Sequence, residues 1–166
     1  QQLNGQAGND KINLIKRNGE NLLRLINQLL DLAKLESKSL KINYEQGDVL
    51  PYLRYIAESL HSFANAQNVM LRVESSEASI VMDYDPERLL QIVYNLLSNA
   101  IKFTPSGGQV VLRAARLSSD SVQTNRVPFL QITVTDNGAG IPAEDLPHIF
   151  DRFYQANNLK KASAGG

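Results

Sequence analysis

The 166-residue chain has no cysteine, so neither a disulfide nor a thiolate metal site can be built from it. That absence suits a reducing compartment without requiring one. It has no excess of either charge: Lys+Arg and Asp+Glu both number 17, and the formal net charge is zero. A balanced chain carries no electrostatic footprint for nucleic acid, and no such partner is expected. No apolar run approaches the length of a membrane span, and no signal-peptide pattern is visible. The expectation is a cytoplasmic portion of a protein, with an inner-membrane receptor as an open possibility for the parent. What is present is 43% hydrophobic residues, enough for a real core. The length suits one domain, or a small domain with an appended helix.

Residues 1–10 are polar and hold two glycines, which predicts a frayed start. From Lys11 the apolar residues Ile12, Ile15, Leu22, Leu25, Leu29 and Leu32 recur at helical spacing, with Ile26, Leu30, Ala33 and Leu35 widening the stripe. This predicts one long helix, weakened at Gly19. Its broad apolar face suits a helical bundle or coiled coil, or else the core of its own domain. Residues 39–47 alternate and predict a strand, and Asp48 can cap a helix over roughly 49–66. Two short strands, MLRVES and SIVMDYD, flank a polar turn at Ser75–Ala78. Asp85 followed by Pro86 is a helix start, and that helix should run to about Phe103, stopped by Pro105 and Gly107-Gly108. QVVLRAARL and FLQITVTD predict strands that pair across a polar loop, and IPAEDLPHIF predicts a short helical turn. The fold expected is α+β, a two-layer sandwich with helices on one face of a mixed, largely antiparallel sheet.

The helix beginning at Asp85 carries the chemistry. Leu89, Val93, Leu96 and Ala100 share one face, with Leu90, Leu97 and Ile101 beside them, so most of it is expected to be buried. Arg88, Gln91, Asn95, Asn99 and Lys102 fall on one narrow polar stripe. A solvent face is one reading of that stripe. Asparagine is a poor helix former, however, and an indifferent surface favours Glu, Lys or Gln. Amide oxygens can ligate a hard cation, and an ammonium one turn on can meet phosphate. In ITVTDNGAGIP a strand runs into Asp136, Asn137, Gly138, Ala139 and Gly140. Alone, Asn-Gly signals only a tight turn. The functional reading needs a carboxylate at the strand end, with glycines that let a ligand approach the backbone.

Taken in order, Asn95-x-x-x-Asn99-Ala-x-Lys102-Phe-Thr-Pro and Asp136-x-Gly-x-Gly-Ile resemble the N and G1 boxes of the ATP-binding domain of sensor histidine kinases. That domain belongs to the superfamily shared with gyrase, Hsp90-type and MutL-type ATPases. Ile149-Phe150-Asp151-Arg152-Phe153-Tyr154 resembles the F box, and Leu22–Leu32 resembles the second helix of the family's dimerisation hairpin. The resemblance divides the chain into residues 1–38, part of that hairpin, and 39–166, the ATP-binding catalytic domain. It implies ATP and Mg²⁺ as ligands and a response regulator receiver domain as partner of the parent. By the same resemblance Asn99 would ligate Mg²⁺, Asn95 would support the Mg²⁺-phosphate group, and Lys102 would neutralise phosphate charge. Asp136 would accept from the adenine amino group, and Gly138 and Gly140 would admit the adenine closely. Phe150 and Phe153 would anchor a mobile lid, or pack in the core. In hydrolytic relatives a glutamate occupies the position of Asn95 and activates water. An amide cannot take that proton, so transfer to another nucleophile is expected rather than hydrolysis.

The chain departs from the family pattern in two places. The acceptor histidine is absent: His61 and His148 lack its context and are expected to be structural or surface residues. The second glycine-rich box is absent as well, since the chain stops at Gly165-Gly166. These departures predict a chain truncated at both ends and incomplete at its C-terminus. They also predict weak or no ATP binding, no transfer activity, and self-association over exposed apolar surface. The alternatives to a protein-histidine kinase are a nucleotide-binding or dimerisation module without transfer activity, and a hydrolytic ATPase relative.

Overall fold

The computed structural model describes residues 18, 19, 22, 23, 26, 29, 30, 33, 37, 41–117, 129–151 and 154. The chain divides into two compact units, Gln1–Asn43 and Tyr44–Gly166. In the first, Asn18, Gly19, Leu22, Leu23, Ile26, Leu29, Leu30 and Ala33 are helical. Leu22, Ile26, Leu29 and Ala33 fall at spacings of four, three and four, one face of a helix, with Leu23 and Leu30 beside it. The large residues of this face are exposed, from 44% at Ile26 to 60% at Leu22 and Leu23.

The second unit is α+β. Strand β1 (Glu45–Asp48) leads into helix α1 (Val49–Ser59), then α2 (His61–Ala66), β2 (Met70–Ser75) and β3 (Val81–Tyr84). Helix α3 (Pro86–Phe103), β4 (Gln109–Leu117), β5 (Phe129–Asp136) and a 3₁₀ turn (Leu146–His148) come next. Among the described residues the strands form two hydrogen-bonded groups rather than one continuous sheet. β1 pairs antiparallel with β3, and β4 lies between a parallel β2 and an antiparallel β5. The short strands on either side of the turn at Ser75–Ala78 thus belong to different groups. That turn begins with the Ser75 hydroxyl accepting from Glu77 N at 3.1 Å.

Strand β1 is shorter than the pattern over 39–47 predicts. Its partner β3 offers four residues, with Glu45 opposite Tyr84, and beyond Tyr84 the chain turns into α3. Residues 41–44 then have no ladder to join and adopt no regular structure. The helix predicted over 49–66 is also divided. Leu60 leaves helical geometry (φ −101°, ψ −2°), and the Ser59 hydroxyl donates to Ile56 O at 2.6 Å, in competition with the helix backbone. The break keeps Leu60 and Ala64 both buried.

Asp48 ends β1 and caps α1. One carboxylate oxygen accepts from Leu50 N at 3.1 Å and from Ile80 N at 3.0 Å, tying the helix start to the residue before β3. The Ile80 hydrogen bond is the main reason its pKa lies below the ordinary carboxylate value, with the Leu50 and Ser79 hydrogen bonds and the Arg54 charge assisting against desolvation. Asp85 repeats the device at α3, accepting from Arg88 N at 3.1 Å with Pro86 at the first helical position.

The core lies between helices and sheet. Val49, Leu50, Leu53 and Ile56 of α1 meet Val93, Leu97 and Ile101 of α3 and Val110, Leu112 and Ala114 of β4. Each large aliphatic side chain removed from water there contributes about 1.5–3 kcal/mol. The buried stripe of α3 runs through Val93, Leu97, Ala100 and Ile101, not through Leu96, which is 48% exposed. At 100° per residue Leu96 sits well off the centre of that stripe. Less of α3 is therefore buried than its composition suggests.

Candidate functional site

The site is assembled where α3 ends and β5 ends. Along α3, Asn95, Asn99 and Lys102 lie on the side away from the core: Asn95 is half-buried, Asn99 and Lys102 are exposed. With a rise of about 1.5 Å per residue, the three span roughly 10 Å of helix. Lys102 stands in the last turn, where an ammonium suits the negative end of the helix dipole, and its Nζ lies 5.1 Å from the Phe103 ring centroid. Thr104 closes the helix. Its N–H and its hydroxyl both donate to Ala100 O, at 3.0 and 2.7 Å.

Asp136 is the last residue of β5, opposite Val110, and it is exposed. Its Oδ1 accepts from Gly138 N at 2.9 Å, a turn in which the carboxylate folds over its own backbone. Gly138 is needed for space. A Cβ there would lie 2.6 Å from Phe103 O and 2.8 Å from Asp136 Oδ1. The close approach of Gly138 to the last residue of α3 brings the strand-end carboxylate to the Lys102 end of the asparagine stripe. Gly140 is needed for conformation, with φ +71°.

The loop between α3 and β4 is braced from below. Gly107 N donates to Asn68 O at 2.8 Å, Asn68 Nδ2 donates to Ser106 Oγ at 2.9 Å, and Met70 N donates to Gly108 O at 2.9 Å. Beyond the glycines, Asp145 is a buried carboxylate, 6% exposed, that accepts a hydrogen bond from the Tyr154 hydroxyl. That bond is the main cause of a raised Tyr154 pKa. Phe150 is 95% exposed, which removes core packing as its role. Phe153 lies outside the described residues. His61 and His148 are surface groups paired with Glu58 at 3.0 Å and Asp151 at 2.8 Å.

Residues 84–166 match the model of a family described as histidine kinase-, DNA gyrase B-, and HSP90-like ATPase. The chain belongs to that family. Its relatives place it among the catalytic ATP-binding domains of histidine kinases. It is 33% identical over 147 residues to the sensor histidine kinase TmoS of Ectopseudomonas mendocina, covering 89% of this chain and 14% of TmoS. Full-length ShkA, solved with AMPPNP, superposes with a TM-score of 0.66 at 26% identity, over 78% of this chain and 26% of that one. Histidine kinase ThkA, solved in complex with response regulator protein TrrA, shares the fold, with a TM-score of 0.58 at 18% identity over 80% of this chain and 37% of that one. The chain spans well under a fifth of the length of the first curated relatives it matches.

A cavity of about 250 Å³ elsewhere is lined by Glu74, Ser75, Ser76, Arg113, Ala114 and Ala115, and Arg113 and Glu74 form an ion pair at 2.8 Å there. It lies further along β4 than Val110, the partner of Asp136, so the histidine-kinase motifs do not line it. Two contacts within the motif site were not legible in the sequence. The Phe103 carbonyl packs on Gly138, and the Asn137 side chain bonds to Gln109 N. A helix-to-strand approach and a bond across 28 positions leave no periodic signal.

Proposed function

We propose that the chain is the ATP-binding part of a sensor protein-histidine kinase. Residues 1–38 would be the second helix of its dimerisation hairpin and 39–166 its catalytic domain. The observation that supports this reading is the close approach of Gly138 to Phe103 O, which brings the end of β5 to the Lys102 end of the α3 stripe. Asp136 is assigned to the adenine amino group, Gly138 and Gly140 to close approach of the base, and Lys102 to phosphate. In transfer, the bond from the γ-phosphorus to the ADP oxygen breaks and a bond to a histidine nitrogen of the parent forms. Position and charge neutralisation carry most of such a reaction.

Mg²⁺ fits as an ion brought in on the nucleotide. Among the described residues no group of three or more His, Asp or Glu could hold a metal by itself. Mg²⁺ commonly keeps waters and phosphate oxygens and needs few protein ligands. The exposed amide of Asn99 would supply one, with Asn95 supporting, and the ion would neutralise charge on the phosphates. Homodimerisation is assigned to the exposed leucine face around Leu22, Ile26 and Leu29, and a response regulator is the partner, as in the ThkA–TrrA complex. Among the described residues no helix is long and apolar enough to cross a membrane.

Incubating the parent protein with γ-labelled ATP tests the activity. Acid-labile phosphohistidine should accumulate, and Asn99→Ala should abolish it. Steady release of free phosphate without phosphoprotein would favour the hydrolytic reading instead.

A further inference from the structure

The β4–β5 ladder ends with Val110 opposite Asp136, so Gln109 and Asn137 face each other one step beyond it. An antiparallel pair at this step would exchange two main-chain hydrogen bonds. Here one is long: Asn137 N donates to Gln109 O at 3.4 Å. In the other, Gln109 N donates at 2.8 Å to Asn137 Oδ1, the side-chain oxygen, in place of the main-chain carbonyl. The side chain stands in for the backbone, and the backbone is released to turn towards Gly138. Room for this amide is left by a glycine. A Cβ on Gly108 would lie 2.7 Å from Asn137 Oδ1.

We propose that Asn137 is a specificity-determining positioning residue for the nucleotide base. Its Oδ1 is engaged by Gln109 N, so the role assigned to it is exerted through the neighbouring Asp136. By finishing the ladder with its side chain it sets where β5 stops, and so sets the direction of the adjoining Asp136 carboxylate. It thereby controls the preference for a purine bearing an exocyclic amino group over one bearing a carbonyl at that position. The inference rests on the assignment of Asp136 to the adenine amino group.

The test is competitive displacement of a fluorescent ATP analogue from the parent protein by MgATP and by MgITP, which carries a carbonyl in place of the amino group. Wild-type protein should prefer ATP by about tenfold or more, the worth of one hydrogen bond to a charged group. Asn137→Ala should bring the ratio close to one mainly by weakening ATP, while Asn137→Asp, which keeps the acceptor oxygen, should restore much of it. Asn137→Ser, whose shorter side chain cannot reach Gln109 N, serves should the alanine variant not fold. It should lose the preference too. A wild-type ratio retained by the Ala or Ser variant, while Asp136→Asn loses it, overturns the role of Asn137 and leaves the reading of Asp136 standing. A wild-type protein with no preference, or an Asp136→Asn variant that keeps it, overturns both.

Discussion

Asp48 and Asp136 are the same residue type at the same kind of place. Each ends a strand, and each accepts a hydrogen bond from the backbone N–H two residues on, Leu50 and Gly138 respectively. They differ in what comes next. Asp48 gains a second donor from Ile80, across the structure, and leads into Val49 and Leu50 at the heart of the core. Asp136 is exposed and, past Asn137, leads into residues with little side chain, Gly138, Ala139 and Gly140. One carboxylate is occupied with holding the fold together. The other is held by its own turn and presented to solvent. A strand-end aspartate is therefore not a functional signal in itself. The signal lies in the residues after it and in whether a second element closes over it.

Substitutions put that contrast under test. The largest effect is expected from Gly138→Ala, because the added carbon would lie 2.6 Å from a backbone oxygen that cannot rotate away. Overpacking of this kind typically costs about 1–3 kcal/mol, and in the parent protein the displacement should also abolish nucleotide binding, read there by thermal melting and by calorimetry with MgATP. Next is Asp136→Asn, which should weaken ATP by roughly ten- to a hundredfold while leaving the melting temperature within a degree or two. Asp48→Ala should do the converse, lowering the melting temperature by a few degrees and leaving the ATP-to-ITP ratio untouched. An Asp48 variant that altered base preference would erase the distinction between the two carboxylates.

The smallest effect is a matter of pH. The Asp48 pKa is depressed in the folded state, so the stability its charge contributes is complete above the ordinary value of 3.8 and lost as pH falls through the folded value. Asp48→Asn keeps an acceptor oxygen and removes the charge. Its melting temperature should trail wild type at neutral pH, and the gap should close in acid below pH 3.8. A gap that persisted unchanged there would assign the effect to shape rather than charge.

Local chemistry was the legible part of this fold. The cap and proline at Asp85-Pro86 placed the start of α3 because they act within one turn, and the stop at Phe103 came from Pro105 and the glycines after it. The pairing of β4 with β5 and the turn at Leu146–His148 were legible from alternation and turn residues. Long-range matters were not. The start of β1 depends on how many residues β3 can offer, and the break at Leu60 on what the core accepts. Leu96 looked like a core residue from its spacing alone, yet helical phase puts it beside the asparagine stripe. The same limit hid Asn137, whose partner is decided by strand register.

The order of the β4–β5 ladder decides how freely this domain can change length. The pair nearest the connection is Leu117 with Phe129, and the pair nearest the site is Val110 with Asp136, at opposite ends of eight successive pairs. Residues added between Leu117 and Phe129 would lengthen the connection and leave the far end in register. A single residue added between Thr104 and Gln109 is a different matter, because Gly107 and Gly108 are bonded to Asn68 and Met70 and cannot absorb it. A one-residue slip in a ladder turns every side chain to the other face. Drift in length among the descendants of such a domain should therefore collect at one end of this hairpin, while the other end behaves as a fixed datum from which the carboxylate is measured.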